Sequence, residues 1–521
     1  MTFFKKSTQL KILFVTSEEA PFAKVGGLGE VMYSLPRSLR ALGHDVRMLM
    51  PRYETIRSTT WHLKMAYDGL RVPSSFEDSA RHLQCNVLCY EETSDPASPV
   101  TTYFLENQEY YELRSNVYGY LDDRIRFGLL SRGALEFLNL TRDWKPEVIV
   151  ATDWMSGFIP NLLATDYADY ARLADITSVL SIHNLNSQGM FAPYRFIPES
   201  ERDDGIGSIP DFFNPRFANC NFLRRGIMYA DAINTVSPTY AQEIMTEEFG
   251  EGLDGLLRER RSRVFGILNG IDYTSVNPET DESLAEKFNS HSLDKRHENK
   301  HAIQKQFGLP EESNVFLIGI VSRLVEQKGF ELLKPFMASF LRTTKSQLIV
   351  VGTGAESLMD YFQELSKEFP LQVGTHLQYD ASLPHLVYGG ADATLIPSQF
   401  EPSGLIQMEA MRFGAIPVAR RVGGLADTVI DYQPGERKGT GFLFSDFDSN
   451  AFLIALVRAY TTWQHADAWK KIQTRALEAN FSWDRSAKEY AALFKKAIGF
   501  HKRGNGEKQK TPNGLAHDSY E

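Results

Sequence analysis

Residues 11–50 read KILFVTSEEAPFAKVGGLGEVMYSLPRSLRALGHDVRMLM. The stretch opens on an apolar run of strand length, KILFVT at 11–16, and closes on another, DVRMLM at 45–50. Between them residues 30–42 are long enough for a helix, and the glycine-rich KVGGLGE at 24–30 leads into it. Strand, loop, helix and strand in that order predict a βαβ unit with parallel, fully buried strands. The pattern repeats outward. EVIVA (147–151), SVLSIH (178–183) and DAINTV (231–236) read as further strands, and 124–140 as a helix, whereas 61–114 reads as antiparallel strands and irregular loops. A second series starts at VFLIGIV (315–321) and continues through QLIVVG (347–352), ATLIPS (393–398), AIPVAR (415–420) and GFLF (441–444). Helices are expected at 329–341 and 356–369. GILNGIDYTSVNPETD (266–281), rich in Gly, Asn and Pro, is the linker candidate. The chain is therefore expected to be α/β, with two doubly wound units facing a cleft, the usual place for a ligand of open parallel sheets.

Composition narrows the function. With 521 residues, 43% hydrophobic and 23% charged, the chain is neither disordered nor collagen-like, and its length allows two to four domains at about 150 residues each. Its 56 basic and 66 acidic residues leave a net charge of −10, with a pI near 5.7. That balance gives no footprint for nucleic acid or an anionic membrane, and neither is expected as a partner. Three cysteines cannot build a disulfide framework. The first residues lack the unbroken apolar stretch of a signal peptide, mean hydropathy is −0.30, and no run approaches the ~20 apolar residues of a membrane helix. A cytoplasmic protein is expected.

The chemistry-bearing residues cluster at the carboxyl ends of the expected strands. Lys24, Gly26, Gly27 and Glu30 lie in a loop that opens a helix; such a loop either approaches a phosphate or sugar closely or serves only as a turn. Asp153 and Trp154 end one strand, and His183 and Asn184 another; Trp154 is open to sugar stacking or core filling, and His183 to ligand contact or a buried structural role. Arg323 and Lys328, five apart across a strand-to-helix turn, are placed to meet a leaving diphosphate or to remain solvated. Glu401 precedes Ser403, Gly404 and Leu405, whose N–H groups start a helix, and Glu409 follows two turns later. Paired acids bind sugar hydroxyls or simply face water. Arg224–Arg225 reads as a phosphate contact or a surface feature. Cys85 and Cys89 have strand spacing without the further ligands of a zinc site, and no P-loop, HExxH or GxSxG occurs. No metal or cofactor is expected.

Taken in order, KVGGLGEV, SIHNLNSQGMF, NTVSPTYAQEI, GILNGIDYTSVNPETD, VSRLVEQKG, PSQFEPSGLIQMEAMRFG and VGGLADTV resemble the bacterial and plant glycogen/starch synthases over residues 11–494. The resemblance implies a GT-B architecture of two Rossmann-like domains. It also implies a retaining glucosyltransferase that uses ADP-glucose as donor and the non-reducing 4-hydroxyl of an α-1,4-glucan as acceptor. By that likeness Lys24 contacts donor and acceptor, His183 and Asn184 the donor glucose, Arg323 and Lys328 the diphosphate, and Glu401 the transferred sugar. Ser403, Gly404 and Leu405 then bind phosphate, Tyr379 lies against the base, and Gly26, Gly27, Glu30, Asp153 and Trp154 line the substrate. Retention without a covalent nucleophile implies front-face transfer, with domain closure excluding water.

Five positions in four segments depart from the family pattern. Glu30 replaces an aspartate; TDWM (152–155) stands for HDWH, losing two polar side chains on the expected acceptor side; EPSG replaces EPCG. Glu409 recreates the spacing by which a broader set of GT-B transferases binds ribose. The alternatives that follow are a retaining GT-B transferase with another acceptor or UDP-glucose, or a weakly active glucan-binding homologue. The domain layout expected is an acceptor domain at 8–265, a nucleotide-sugar domain at 266–475, a C-terminal helix at 476–500 packing back on the first domain, and a disordered tail at 502–521. The oligomeric state is left open.

Overall fold

The computed structural model describes residues 9–75, 81–92, 99–189, 198–199 and 202–510. The chain forms two compact units: Met1–Val236, Ala241–Ile267 and Asp484–Glu521 in the first, and Ser237–Tyr240 with Leu268–Trp483 in the second.

Unit 1 is built on a nine-stranded sheet. Its strands are β1 (Lys11–Val15), β2 (Asp45–Pro51), β3 (Lys64–Pro73), β4 (His82–Glu91), β5 (Thr101–Glu106), β6 (Val148–Thr152), β7 (Thr177–Ile182), β8 (Ala232–Thr235) and β9 (Val264–Gly266), in the order β3-β4-β5-β2-β1-β6-β7-β8-β9. From β5 to β9 all neighbours are parallel, and the middle strands are buried because helices cover both faces. The region that reads as antiparallel is the β3–β4–β5 meander at one edge. Strand order reverses at β1, which has β2 on one side and β6 on the other. The loops after β1 and β6 therefore diverge to opposite faces and leave a crevice at their carboxyl ends.

Unit 2 repeats the device with six parallel strands: β10 (Phe316–Val321), β11 (Ser346–Val351), β12 (Val373–His376), β13 (Ala393–Ile396), β14 (Ile416–Arg420) and β15 (Phe442–Phe444), in the order β12-β11-β10-β13-β14-β15. Here β10 is the switch strand, and the loops after β10 and β13 flank the crevice. The two-unit α/β architecture expected from the sequence is the one found.

Three local expectations are corrected. The helix expected at 329–341 is broken into the short turns Glu326–Lys328 and Phe330–Leu333 and the helix Met337–Thr343, because Pro335 lies inside it without an N–H to donate. The last helix starts at Trp483 rather than 476: residues up to Glu478 belong to the preceding helix Ala466–Glu478, and an extended link follows in which Ile271 N donates to Phe481 O at 2.8 Å. This helix, Trp483–Lys510, packs within unit 1 through Phe494 against Phe14 (6.3 Å between ring centres) and through Tyr490, whose hydroxyl accepts from Asn234 Nδ2 at 3.0 Å. It continues through residues 502–510, where disorder was expected, since isolated glycines cost a helix only about 1 kcal/mol each; residues 511–521 lie outside the described part. The short segment Ser237–Tyr240 joins unit 2 because Thr239 donates its N–H (2.9 Å) and hydroxyl (2.7 Å) to the Asp427 carboxylate.

Candidate functional site

In unit 1 the loop after β1 runs into the helix Gly27–Ala41, capped by Gly26, which has no side chain to offer. Glu18 takes over that task. Its Oε2 accepts from Val25 N at 2.6 Å and Gly26 N at 3.0 Å, and its Oε1 accepts from the Tyr118 hydroxyl at 2.6 Å. A nearly buried carboxylate thus holds the Lys24–Gly26 backbone against the rest of the unit, at a helix start that favours negative charge. A Cβ on Gly26 or Gly27 would meet nothing within 4 Å, so packing does not demand glycine there. Lys24 is half-exposed and forms an ion pair with Glu30 one turn into the helix. Glu18→Ala is expected to release two N–H groups, to lower stability by about 1–2 kcal/mol, and to raise the KM for donor more than it lowers kcat. Glu18→Gln, which keeps an acceptor oxygen, restores most of both. Urea midpoints and initial rates check this.

The loop after β6 carries Asp153 in a left-handed conformation (φ 48°) that a non-glycine residue adopts only under constraint. The constraint is visible: Asp153 Oδ1 accepts from His183 N at 2.7 Å and Asn184 N at 3.2 Å, tying the ends of β6 and β7 together. Burial pushes the Asp153 carboxyl up to about 7, against the opposing effect of those two bonds. His183 Nε2 and Ser181 Oγ lie 3.1 Å apart, and Asn234 Nδ2 donates to Ser181 Oγ at 3.3 Å. Burial lowers His183 to about 4, so the imidazole is neutral above that pH. The folded value lies below the ordinary 6.5; His183 therefore contributes stability that is complete above pH 6.5 and lost as pH falls through about 4. Accordingly, the urea midpoint of the native protein is expected to fall more steeply between pH 6.5 and 4 than that of His183→Gln.

Two motif departures sit inside the protein. Thr152 Oγ1 donates to Val15 O at 3.0 Å, and Met155 is buried. Trp154, half-buried, packs edge-on between Phe127 and Phe222, with ring centres at 4.9 and 5.5 Å, which supports its core-filling reading. Arg225 is bidentate with Asp203, at 2.9 Å twice, and so is structural.

In unit 2, Lys328 ends the turn after β10 and Glu401 follows β13. Lys328 Nζ donates to Glu401 Oε2 at 2.5 Å, both side chains being about 10% exposed. Ser398 Oγ donates to the same oxygen at 2.9 Å. Arg323 stands exposed at the end of β10, and among the described residues its guanidinium has no partner. The backbone beyond Glu401 is packed tightly. A Cβ on Gly423 would lie 2.0 Å from Glu401 O, and one on Gly424 1.8 Å from Ser403 O, so glycine alone lets the helix Gly423–Thr428 close on this loop. The Gly-Gly-Leu at 26–28 in unit 1 is therefore open, whereas the one at 423–425 in unit 2 is packed. Ser403 Oγ is buried and has no hydrogen-bond partner among the described residues. Gly404 and Leu405 precede the helix Ile406–Arg412, which carries Glu409 near the buried Tyr388. Tyr379 is 85% exposed after β12.

Thus Lys24 meets Glu30, Asp153 meets His183 and Asn184, and Lys328 meets Glu401, all at the switch-point ends of the two sheets. Sequence reasoning missed Glu18, Tyr118, Ser181 and Ser398. The one available signal was two acids, Glu18–Glu19, directly after a buried strand, where a solvated loop has no need of them.

Residues 11–259 match the model described as starch synthase catalytic domain, and residues 299–475 the model for glycosyl transferases group 1. The chain belongs to the glycogen/starch synthase family of glycosyltransferases. The glycogen synthase of Thermotoga maritima is 40% identical over 94% of this chain and 99% of its own, and that of Geobacillus stearothermophilus 39% over 94% and 98%. The catalytic domain of starch synthase IV from Arabidopsis thaliana, solved with ADP and acarbose, superposes with a TM-score of 0.80 at 31% identity, covering 94% of this chain and all of that one. Among the described residues no helix is long and apolar enough to cross a membrane.

Proposed function

We propose that this family member transfers glucose from ADP-glucose to the non-reducing 4-hydroxyl of an α-1,4-glucan with retention of configuration. The observation that carries this reading is the buried Lys328–Glu401 pair beside the exposed, unpartnered Arg323. A fixed lysine with an exposed arginine at a switch point suits a departing diphosphate, whose charge grows as the glycosidic bond breaks. Glu401 fixes the ammonium and keeps an oxygen for a sugar hydroxyl, while the orphaned Ser403 hydroxyl with the Gly404 and Leu405 backbone is suited to phosphate. Within unit 1 the groups suited to a sugar are neutral His183, Asn184 and Lys24, with Gly26 and Gly27 leaving room for close approach. The departing diphosphate takes the proton of the incoming hydroxyl on the same face, so no covalent enzyme intermediate is required. Glu30 serves the acceptor side, Asp153 positions His183 and Asn184, and Glu409 and Tyr379 serve the nucleoside. The ADP carried by the Arabidopsis neighbour and the glycogen synthase names of the relatives support this donor and product. Three unpaired cysteines suit a cytoplasmic setting.

The test is nucleoside diphosphate release from purified protein given ADP-glucose or UDP-glucose, with and without glycogen. Glycogen-dependent ADP release with elongation of α-1,4 chains is expected. Release only from UDP-glucose, or only with a non-glucan acceptor, overturns the reading.

A further inference from the structure

A line of three buried polar side chains in unit 1 ends on His183. Ser181 on β7 and Asn234 on β8 are register partners in the parallel sheet, so their side chains lie on one face. Tyr490 reaches both from the final helix, Trp483–Lys510, and all three residues are buried. The Asn234 amide donates to the Tyr490 hydroxyl at 3.0 Å and to Ser181 Oγ at 3.3 Å, and the Tyr490 hydroxyl is also hydrogen-bonded to Ser181. Ser181 Oγ in turn lies 3.1 Å from His183 Nε2. No hydrogen bond joins His183 Nδ1 to any of the described residues.

A neutral imidazole carries one proton, on Nδ1 or on Nε2, and a hydroxyl has one hydrogen to give and two lone pairs to receive. With the imidazole proton on Nδ1, Tyr490 donates to Ser181, Ser181 donates to His183 Nε2, and every hydrogen in the line finds an acceptor. With the proton on Nε2, the ring donates to Ser181, whose own hydrogen must turn to Tyr490. The Tyr490 hydrogen is then buried with no acceptor among the described residues. An unmet buried donor costs more than a hydrogen bond gains, so the line favours the first arrangement. The hydrogen bond at one ring nitrogen thereby decides what the other can do.

We infer that Ser181 and Asn234 are positioning residues that hold the proton of His183 on Nδ1, so that this nitrogen gives a hydrogen bond to a hydroxyl oxygen of the transferred sugar. The ligand in that statement rests on the function proposed above; the proton's place on the ring does not. A ring fixed in this way donates at Nδ1 and takes no proton there, which leaves the proton of the incoming hydroxyl to the departing diphosphate.

The experiment uses the full chain with its 12 histidines labelled with nitrogen-15. The nitrogen shifts of a neutral imidazole distinguish the protonated ring nitrogen from the bare one, and the His183 signals are those missing from His183→Gln. In the native protein at neutral pH the proton is expected on Nδ1. Ser181→Ala is expected to spread it over both nitrogens and to lower kcat/KM for ADP-glucose about tenfold. Asn234→Asp, of the same shape, accepts where the amide donates; it draws both hydroxyl hydrogens to itself and is expected to move the imidazole proton to Nε2. Tyr490→Phe leaves the links from Asn234 through Ser181 to His183 in place, so it keeps the proton on Nδ1 and loses no more than about twofold in rate. A proton on Nε2 in the native protein overturns the inference, and so do unmoved His183 signals in Ser181→Ala. Equal losses of rate in Ser181→Ala and Tyr490→Phe overturn it as well, since they assign the line to the fold alone. If the native protein releases no ADP while the proton sits on Nδ1 and shifts in Ser181→Ala, the functional reading fails and the hold on the imidazole stands.

Discussion

Lys328→Met is expected to lower kcat by about 10³-fold, measured as ADP release at saturating ADP-glucose and glycogen. On the proposed reading the lysine is one of two cations offered to the leaving diphosphate, and Arg323 does not replace it, because Arg323 stands exposed just after β10 while Lys328 is locked to Glu401. A buried pair broken on one side leaves an uncompensated charge, which costs about 3–5 kcal/mol. The single variant will therefore lose stability as well as activity, and the two losses must be told apart. Lys328→Met/Glu401→Gln removes both charges at nearly constant volume. It is expected to regain most of the lost Tm while turnover stays abolished. Recovery of activity together with stability would show that the lysine serves only the fold.

The second large effect is expected at Asp153. One carboxylate oxygen holds the backbone of both His183 and Asn184 and keeps its own residue in a left-handed conformation. Asp153→Ala frees those N–H groups and the imidazole they orient, and is expected to reduce kcat/KM by about 10²-fold, much as His183→Ala does. Because the aspartate acts through the histidine, the two losses should not add. The double variant is expected to be little worse than either single one, with a coupling energy of about 2–3 kcal/mol in the cycle. Strict additivity would assign the two residues to separate tasks.

The parallel sheets were legible because β1, β6 and β10 are almost unbroken apolar runs and β2 and β7 are largely apolar, as strands covered on both faces tend to be. Short strands such as β9 and β12 carry too few residues to show a period. In the site, sequence order placed Lys328 and Glu401 each at a strand's carboxyl end, but their contact spans 73 positions and depends on β10 lying next to β13. Local pattern cannot express that adjacency, and the natural partner by spacing was Arg323. Glu18 escaped notice for the opposite reason: its role is to satisfy backbone N–H groups, and those leave no mark in a side-chain motif.

Unit 2 is inserted in the chain of unit 1, since the final helix from Trp483 supplies Phe494 beside Phe14 and Tyr490 beside Asn234. During synthesis the ribosome therefore releases every strand of the first sheet, and then the entire second unit, before the first can be closed. Until that moment the first unit exposes an apolar seam along β1, a risk for aggregation. Chains ended at residue 482 should thus accumulate as insoluble material, although each sheet is whole.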